Sequence, residues 1–211
     1  MPRYYSINLV LKNKKCVVIG AGNVAERKAR RLMECAARVS VISPAITPGL
    51  KAMAQNGRII LKNRNFNLSD LNGAYLVIAA TTDRSVNAAV SSYCRRKNIL
   101  VNVADSPEEC SFILPSIIRR GDLTISISTG GSSPALSKKI RKDLEKMFGA
   151  EYAALLRIMK KIRPQARKKI KDPRSRKAFF KKTLQPETMN LLKQNKGRQV
   201  MRKLKDILDN A

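Results

Sequence analysis

"KCVVIGAGNVAERKARRLMECAA", residues 15–37, carries the reading of the fold. Its opening, Cys16 to Ile19, is a short apolar run of the kind that forms a buried strand. From Val24 onward, Val24, Ala25, Lys28, Ala29, Leu32, Met33 and Ala36 recur at helical spacing, with Glu26, Arg27, Arg30 and Arg31 largely on the other side. Between strand and helix lies Gly20-Ala21-Gly22-Asn23-Val24-Ala25, the G-x-G-x-x-A form of a dinucleotide-binding turn. In that turn Gly20 allows the tight bend, Gly22 lets a pyrophosphate reach the backbone, and Ala25 permits close packing of helix on strand. The N–H groups at the start of the helix then face the phosphates.

The same alternation continues outward. "RVSVIS" (38–43), "RIILKN" (58–63), "AYLVIAAT" (74–81) and "ILVNVA" (99–104) read as further strands, with helices in "TPGLKAMAQNG" (47–57) and "DRSVNAAVSSYCRRKN" (83–98). Short apolar strands separated by helices predict a parallel sheet covered on both faces, a Rossmann-type domain over residues 1–113. In "SFILPSIIRRGDLTISIST" (111–129) two strand-like runs meet through Arg119-Arg120-Gly121-Asp122. No crossover fits there, so that pair is expected to be antiparallel. A helix follows, with Ser132 or Ser133 as cap and Pro134 in its first turn, closing a small α+β segment over 114–149. Residues 150–211 read as a helical region broken near Pro164, Pro173, Pro186 and Gly197.

The composition narrows the chemistry. Lys and Arg number 43 against 15 Asp and Glu, a net charge of +28, and 24 of those basic residues lie after position 136. Such a field attracts polyanions, whether nucleic acid, an anionic surface or a small polycarboxylate. Aromatic residues make up only 5% and are not interleaved with the basic ones as in a base-stacking platform. With no histidine, imidazole acid–base chemistry and the common Cys/His zinc sites are absent, and no metal-ligating set is assigned. Cys16, Cys35, Cys94 and Cys110 form no C-x-x-C pair, which suits a reducing compartment. No apolar run reaches the roughly 18 residues of a membrane span. The start lacks the continuous apolar stretch of a signal peptide, so a cytoplasmic protein is expected.

The crevice at the carboxyl ends of the strands is where a dinucleotide and its reaction partner belong. At the end of the second strand stand Ser43, Pro44 and Ala45, where an NAD site commonly has an acidic ribose ligand. Arg38 precedes that strand, so no 2′-phosphate pocket is evident either, and the motif leaves NAD and NADP open. Thr81 and Thr82 offer hydroxyls after the fourth strand, and Asp83 caps the next helix. After the fifth strand, "NVADSPEECSF" presents Asp105, with Asn102 on the same strand end. Local chemistry leaves two roles for Asp105: an Asx cap for the turn at Ser106-Pro107, or a reacting carboxylate.

"VVIGAGNVAERKARRL", "VIAATTDRSVN", "VNVADSPEECSFILPSII" and "ISISTGGSSPALSKKIR" together resemble the precorrin-2 dehydrogenase/sirohydrochlorin ferrochelatase family, the N-terminal module of sirohaem synthase. The motifs keep that family's order and spacing. The resemblance implies a homodimer whose 114–149 segment is the dimerisation segment, followed by a basic helical C-terminal domain over 150–211. It implies oxidation of precorrin-2, a polycarboxylate tetrapyrrole, to sirohydrochlorin with NAD. In some members ferrous iron is then inserted as a second substrate. It places Gly20, Gly22, Asn23, Val24, Pro44 and Ala45 at the cofactor, where the strand-end loops also bring Ser43, Thr81 and Thr82, and makes Asp105 the catalytic residue. Asn102, Ser128 and Thr129 fall to the substrate. Two other classes compete: an NAD-sensing domain without turnover, and a nucleic-acid-binding protein following the basic stretch 160–182. Neither needs a carboxylate at Asp105, and specific nucleic-acid binding is not expected. Arg27, Lys28, Arg119 and Arg120 are the basic residues expected to draw the substrate's carboxylates.

Overall fold

The computed structural model describes residues 4–209 and divides the chain into two compact units, Met1–Leu114 and Pro115–Ala211. In the first, β1 (Lys15–Ile19), α1 (Asn23–Glu34), β2 (Arg38–Ile42), α2 (Pro48–Gln55), β3 (Ile60–Lys62), β4 (Leu76–Ala79), α3 (Arg84–Arg96) and β5 (Leu100–Val103) alternate along the chain. The five strands form one sheet in the order β3-β2-β1-β4-β5, and every pairing is parallel. The expected Rossmann-type sheet is therefore present, and its strand order reverses between β1 and β4.

Side-chain alternation divides the core into two layers. Cys16 and Val18 of β1 pack with Ala25, Ala29 and Leu32 of α1 and with Leu50 and Met53 of α2. Val17 and Ile19 point to the opposite face, among Val77, Val90, Cys94, Val101 and Val103. Burying each of these larger aliphatic chains stabilises the fold by about 1.5–3 kcal/mol relative to exposure. Small Ala25 and Ala29 are fully buried, so α1 lies close upon the sheet. Side chains set the helix starts: Thr47 accepts from the Leu50 N–H at 3.3 Å, and Asp83 accepts from the Ser85 and Val86 N–H groups.

A buried carboxylate closes the β3–β4 connection. Asp70 is 4% exposed and accepts from Lys62 at 2.9 Å, from Arg64 at 2.6 and 2.8 Å, and from the Asn67 N–H at 3.0 Å. These donors, Arg64 foremost, hold its carboxyl far below the ordinary carboxylate range.

The second unit begins with an antiparallel hairpin, β6 (Ser116–Arg120) and β7 (Leu123–Ile127), turned at Gly121. Helices α4 (Pro134–Met147), α5 (Ala150–Lys169), α6 (Pro173–Lys182), α7 (Pro186–Lys193) and α8 (Gly197–Asp209) follow. Ser133 supplies the α4 cap, accepting from the Leu136 N–H at 3.2 Å. Pro173 and Pro186 occupy first helical positions, where a missing N–H costs nothing. Pro164 does not break the chain as its sequence suggested. It lies inside α5, exposed, while Leu155, Ile158, Ile162 and Ala166 form a continuous buried stripe on the other side. That stripe packs on Leu192, Val200, Leu204 and Leu208 and holds the helix across the one hydrogen bond that Pro164 cannot donate. Among the described residues no helix is long and apolar enough to cross a membrane.

Candidate functional site

The first unit gathers its candidate residues along the carboxyl edge of the sheet. Beyond the strand ends the backbone ladder continues: Gly20 N–H donates to Ile42 O at 2.9 Å, Ala80 N–H to Ile19 O at 2.8 Å, and Ala104 N–H to Ala79 O at 2.8 Å. Ser43 N–H donates to Lys62 O at 3.2 Å. One row thus carries Gly20, Ser43, Ala80 and Ala104, each leading into a loop that the sequence assigned to cofactor or substrate.

At Gly20 the backbone is left-handed, φ +96°, and a Cβ would stand 2.4 Å from Ala80 O. Only glycine lets the turn approach β4 this closely. Gly22 plays the opposite part. It is the N-cap of α1 with no side chain to cap the first N–H groups, and a Cβ there would meet nothing within 4 Å. Open space above uncapped helix N–H groups fits a pyrophosphate. Asn23 is exposed and Val24 half-buried at the same helix start. The first-turn acid Glu26 is already engaged: it accepts from Thr47 Oγ1 at 2.6 Å and from Arg30 at 2.7 Å, in that order holding its carboxyl below the usual range. It therefore ties α1 to the start of α2 and presents a compensated charge near the phosphate position.

The β2 loop shows a buried Ser43 followed by exposed Pro44 and Ala45. With its amide turned to satisfy both partners, Asn63 donates to Pro44 O at 2.9 Å and Ser43 O at 3.2 Å, fixing this loop without a carboxylate. After β4, Thr82 is exposed, whereas Thr81 is tied down. Thr81 Oγ1 lies 3.0 Å from Asn87 Oδ1 and 2.9 Å from Asp83 O, and Asn87 Nδ2 donates to Thr81 O at 3.1 Å. Asn87, 1% exposed, is a residue that sequence reasoning missed. Its position one turn into a helix carries no distinguishing signal.

Asp105 stands immediately beyond β5, exposed, in the left-handed region at φ +58°. Among the described residues no hydrogen bond engages its carboxylate, and an Asx turn has no donor two positions on, because that residue is Pro107. The loop around it is stitched down from several sides. Arg84 donates to Ser106 Oγ and pairs with Glu109 at 3.5 Å, Ser91 Oγ donates to Glu109 O at 2.7 Å, and Arg95 donates to Glu108 O. Asn102, buried on β5, accepts from Lys28 Nζ and donates to Phe112 O at 3.1 Å.

Of the four basic residues expected near substrate, Lys28 is placed at the β5 end by its bond to Asn102. Arg27 is exposed on α1. Arg120 donates to Phe148 O at 2.9 Å and Glu145 O at 3.4 Å, closing the C-terminus of α4 in the second unit. Ser128 and Thr129 also belong to the second unit. There the Gly130 N–H donates to Ser128 Oγ at 3.2 Å, while Thr129 Oγ1 donates to Ser133 O at 3.1 Å and accepts from its N–H at 3.2 Å. No group of three or more Cys, Asp or Glu suited to a metal ion occurs among the described residues.

Comparison with known proteins divides the chain into three matched regions. A family described as "Putative NAD(P)-binding" matches residues 7–116, "Sirohaem biosynthesis protein central" matches 120–147, and "Sirohaem synthase dimerisation region" matches 151–208. That last description attaches dimerisation to the helical region, where the sequence resemblance had placed it at 114–149. The siroheme synthase of Methylococcus capsulatus is 36% identical over 208 residues, covering 99% of this chain and 44% of that protein. That of Thioalkalivibrio sulfidiphilus is 38% identical over 182 residues, 86% of this chain and 37% of its own. The chain thus spans less than half the length of these curated relatives. A solved structure titled "SirC, precorrin-2 dehydrogenase" has the same fold, with a TM-score of 0.80 at 22% identity over 96% of this chain and 100% of its own. The parallel sheet, the open glycine turn and the successive NAD(P)-binding, central and dimerisation regions together place this chain in the sirohaem synthase family.

Proposed function

We propose that this chain is an NAD-dependent precorrin-2 dehydrogenase that forms sirohydrochlorin, with Asp105 as its catalytic residue. The observation that carries the reading is an exposed carboxylate at the end of β5, on the same sheet edge as the open Gly20–Val24 turn. When bound, NAD supplies the hydride acceptor. Dehydrogenation also releases a proton, and Asp105 is the group positioned to take it or to orient the macrocycle. Gly22 and the first N–H groups of α1 hold the pyrophosphate, with Gly20, Asn23 and Val24 shaping the turn. Ser43, Pro44 and Ala45 flank the adenosine side, and Thr81 and Thr82 border the nicotinamide side. Asn102 lies buried beneath the substrate side of the turn and acts on the substrate through Asp105, and Ser128 and Thr129 are assigned to the substrate through their family motif. The net charge of +28 suits a polycarboxylate ligand.

The reading extends to a homodimer of cytoplasmic location, with residues 1–113 as the NAD-binding domain, 114–149 and 150–211 completing the subunit contact. The match to a dimerisation region and four cysteines that are all free support it.

The test is spectroscopic. Purified protein given precorrin-2 and NAD is expected to develop the sirohydrochlorin absorbance. Asp105→Ala and Asp105→Asn are expected to fold and to bind NAD while losing about 10²–10⁴-fold in turnover. Asparagine keeps the left-handed backbone at low cost, so its loss reports chemistry rather than strain. Parent-rate oxidation by both folded variants would falsify the assignment. The same proteins given sirohydrochlorin and ferrous iron without oxygen test iron insertion as a second activity.

A further inference from the structure

The exposed turn that carries Asp105 has no hydrogen bond of its own to the carboxylate, so its position must be set by the atoms beneath it. Three side chains form a continuous path there. Lys28 Nζ, from α1, donates to Asn102 Oδ1 on β5. With its oxygen so occupied, Asn102 turns its Nδ2 to Phe112 O at 3.1 Å and to Cys110 Sγ at 3.5 Å. Cys110 Sγ in turn accepts from the Val103 N–H at 3.1 Å, and the sulfur stands 3.3 Å from both Val103 O and Ser106 O, either of which its S–H can reach. Val103 and Ser106 are the two residues that bracket Ala104-Asp105. The path therefore runs from the helix whose first turn faces the cofactor to both sides of the left-handed residue.

We propose that Lys28 and Cys110, acting through Asn102, are positioning residues that fix the Asp105 turn relative to the dinucleotide helix. The inference rests on the reading of Asp105 given above.

Energetics favour geometry as the purpose of this path. Lys28 is half-buried, and burial pulls its ammonium below the ordinary lysine range. The Asp105 carboxylate acts in the opposite sense, while Arg27 and Arg31 on its own helix add to the lowering. Burial likewise raises the Cys110 thiol, so it acts as a neutral S–H and not as a thiolate. A half-buried cation and amide at a helix–strand contact are costlier than a packed apolar pair would be. What the polar path provides instead is directional: each bond fixes the orientation of the next. Hydride and proton transfer depend steeply on such placement, and a misplacement of about 1 Å costs about 10²-fold.

The experiment uses the full chain with Lys28→Met, Cys110→Ala and, as the conservative control, Lys28→Arg. Lys28→Met and Cys110→Ala are expected to bind NAD within about threefold of the parent, with kcat lowered about 10- to 100-fold. Lys28→Arg, still able to donate to Asn102, is expected to recover most of the loss. In the ligand-free protein, amide hydrogen exchange over residues 104–110 should rise at least about tenfold in both neutral variants. A double-mutant cycle completes the test: in the Asp105→Asn background, Lys28→Met should cost little more. Parent-like kcat and exchange in either folded neutral variant, alongside an inactive Asp105→Asn, overturns this inference alone. So does a full additive loss in the double variant. Parent-rate turnover by Asp105→Asn overturns the Asp105 reading and this inference together.

Discussion

Gly20 and Ala80 approach so closely that a methyl group on the glycine would lie 2.4 Å from the alanine carbonyl oxygen. The contact welds the first βα turn to the end of β4, across the point where the strand order reverses. Gly20→Ala should therefore act on folding. Left-handed strain and steric displacement together are expected to cost about 2–4 kcal/mol, read as a lower urea midpoint. An unchanged midpoint would show that the turn can relax away from β4.

Gly22, two residues on, should behave in the opposite way. Its φ of −76° suits any residue and its Cβ position is open. Gly22→Leu is expected to leave the urea midpoint within about 1 kcal/mol of the parent while weakening NAD at least about tenfold, because the side chain occupies the phosphate approach. Calorimetric titration with NAD and then NADP checks both the loss and the preference. Undiminished affinity in the folded variant removes the pyrophosphate from this turn.

Asp70 sets an acid limit on the first unit. Its carboxyl titrates below its unfolded value of about 3.9, chiefly through Arg64 and then Lys62 and the Asn67 amide. The stabilisation is thus fully present above about pH 4 and is lost as pH falls through the folded value. Asp70→Asn is expected to cost about 1–3 kcal/mol at pH 7. Parent and variant should converge only below about pH 4. Denaturant melts across pH 2–7 measure this, and a constant difference throughout would contradict the linkage.

Dimerisation should prove tight. Neither β6 nor β7 pairs with a further strand among the described residues, and on α4 Leu136 and Met147 are 48% and 66% exposed. Strand edges and apolar side chains of this kind are costly to leave in water. A homodimer persisting on dilution to nanomolar concentration is expected in sedimentation velocity. A monomer at micromolar concentration would mean that these surfaces serve something else.

The sequence by itself determined the order of strands and helices, the parallel sheet and the glycine turn. These follow from local rules: side-chain period, turn chemistry at Gly20 and Gly22, and capping by Asp83 and Ser133 act over a few residues. It also marked Asp105 as a carboxylate at a strand end. Only the tertiary structure decided which side chains meet beneath it. Lys28 and Asn102 are 74 positions apart, and nothing in either neighbourhood announces the other. Arg120 closes α4 through Phe148 O, a partner 28 positions away that nothing in its own neighbourhood announces. Pro164, a helix breaker by local rules, is carried through α5 because the buried stripe of Ile158, Ile162 and Ala166 outweighs one missing hydrogen bond. Local preferences fix what each segment becomes, but a long side chain's partner is set by packing in three dimensions, where reach and burial decide among contacts that the linear chain leaves equal.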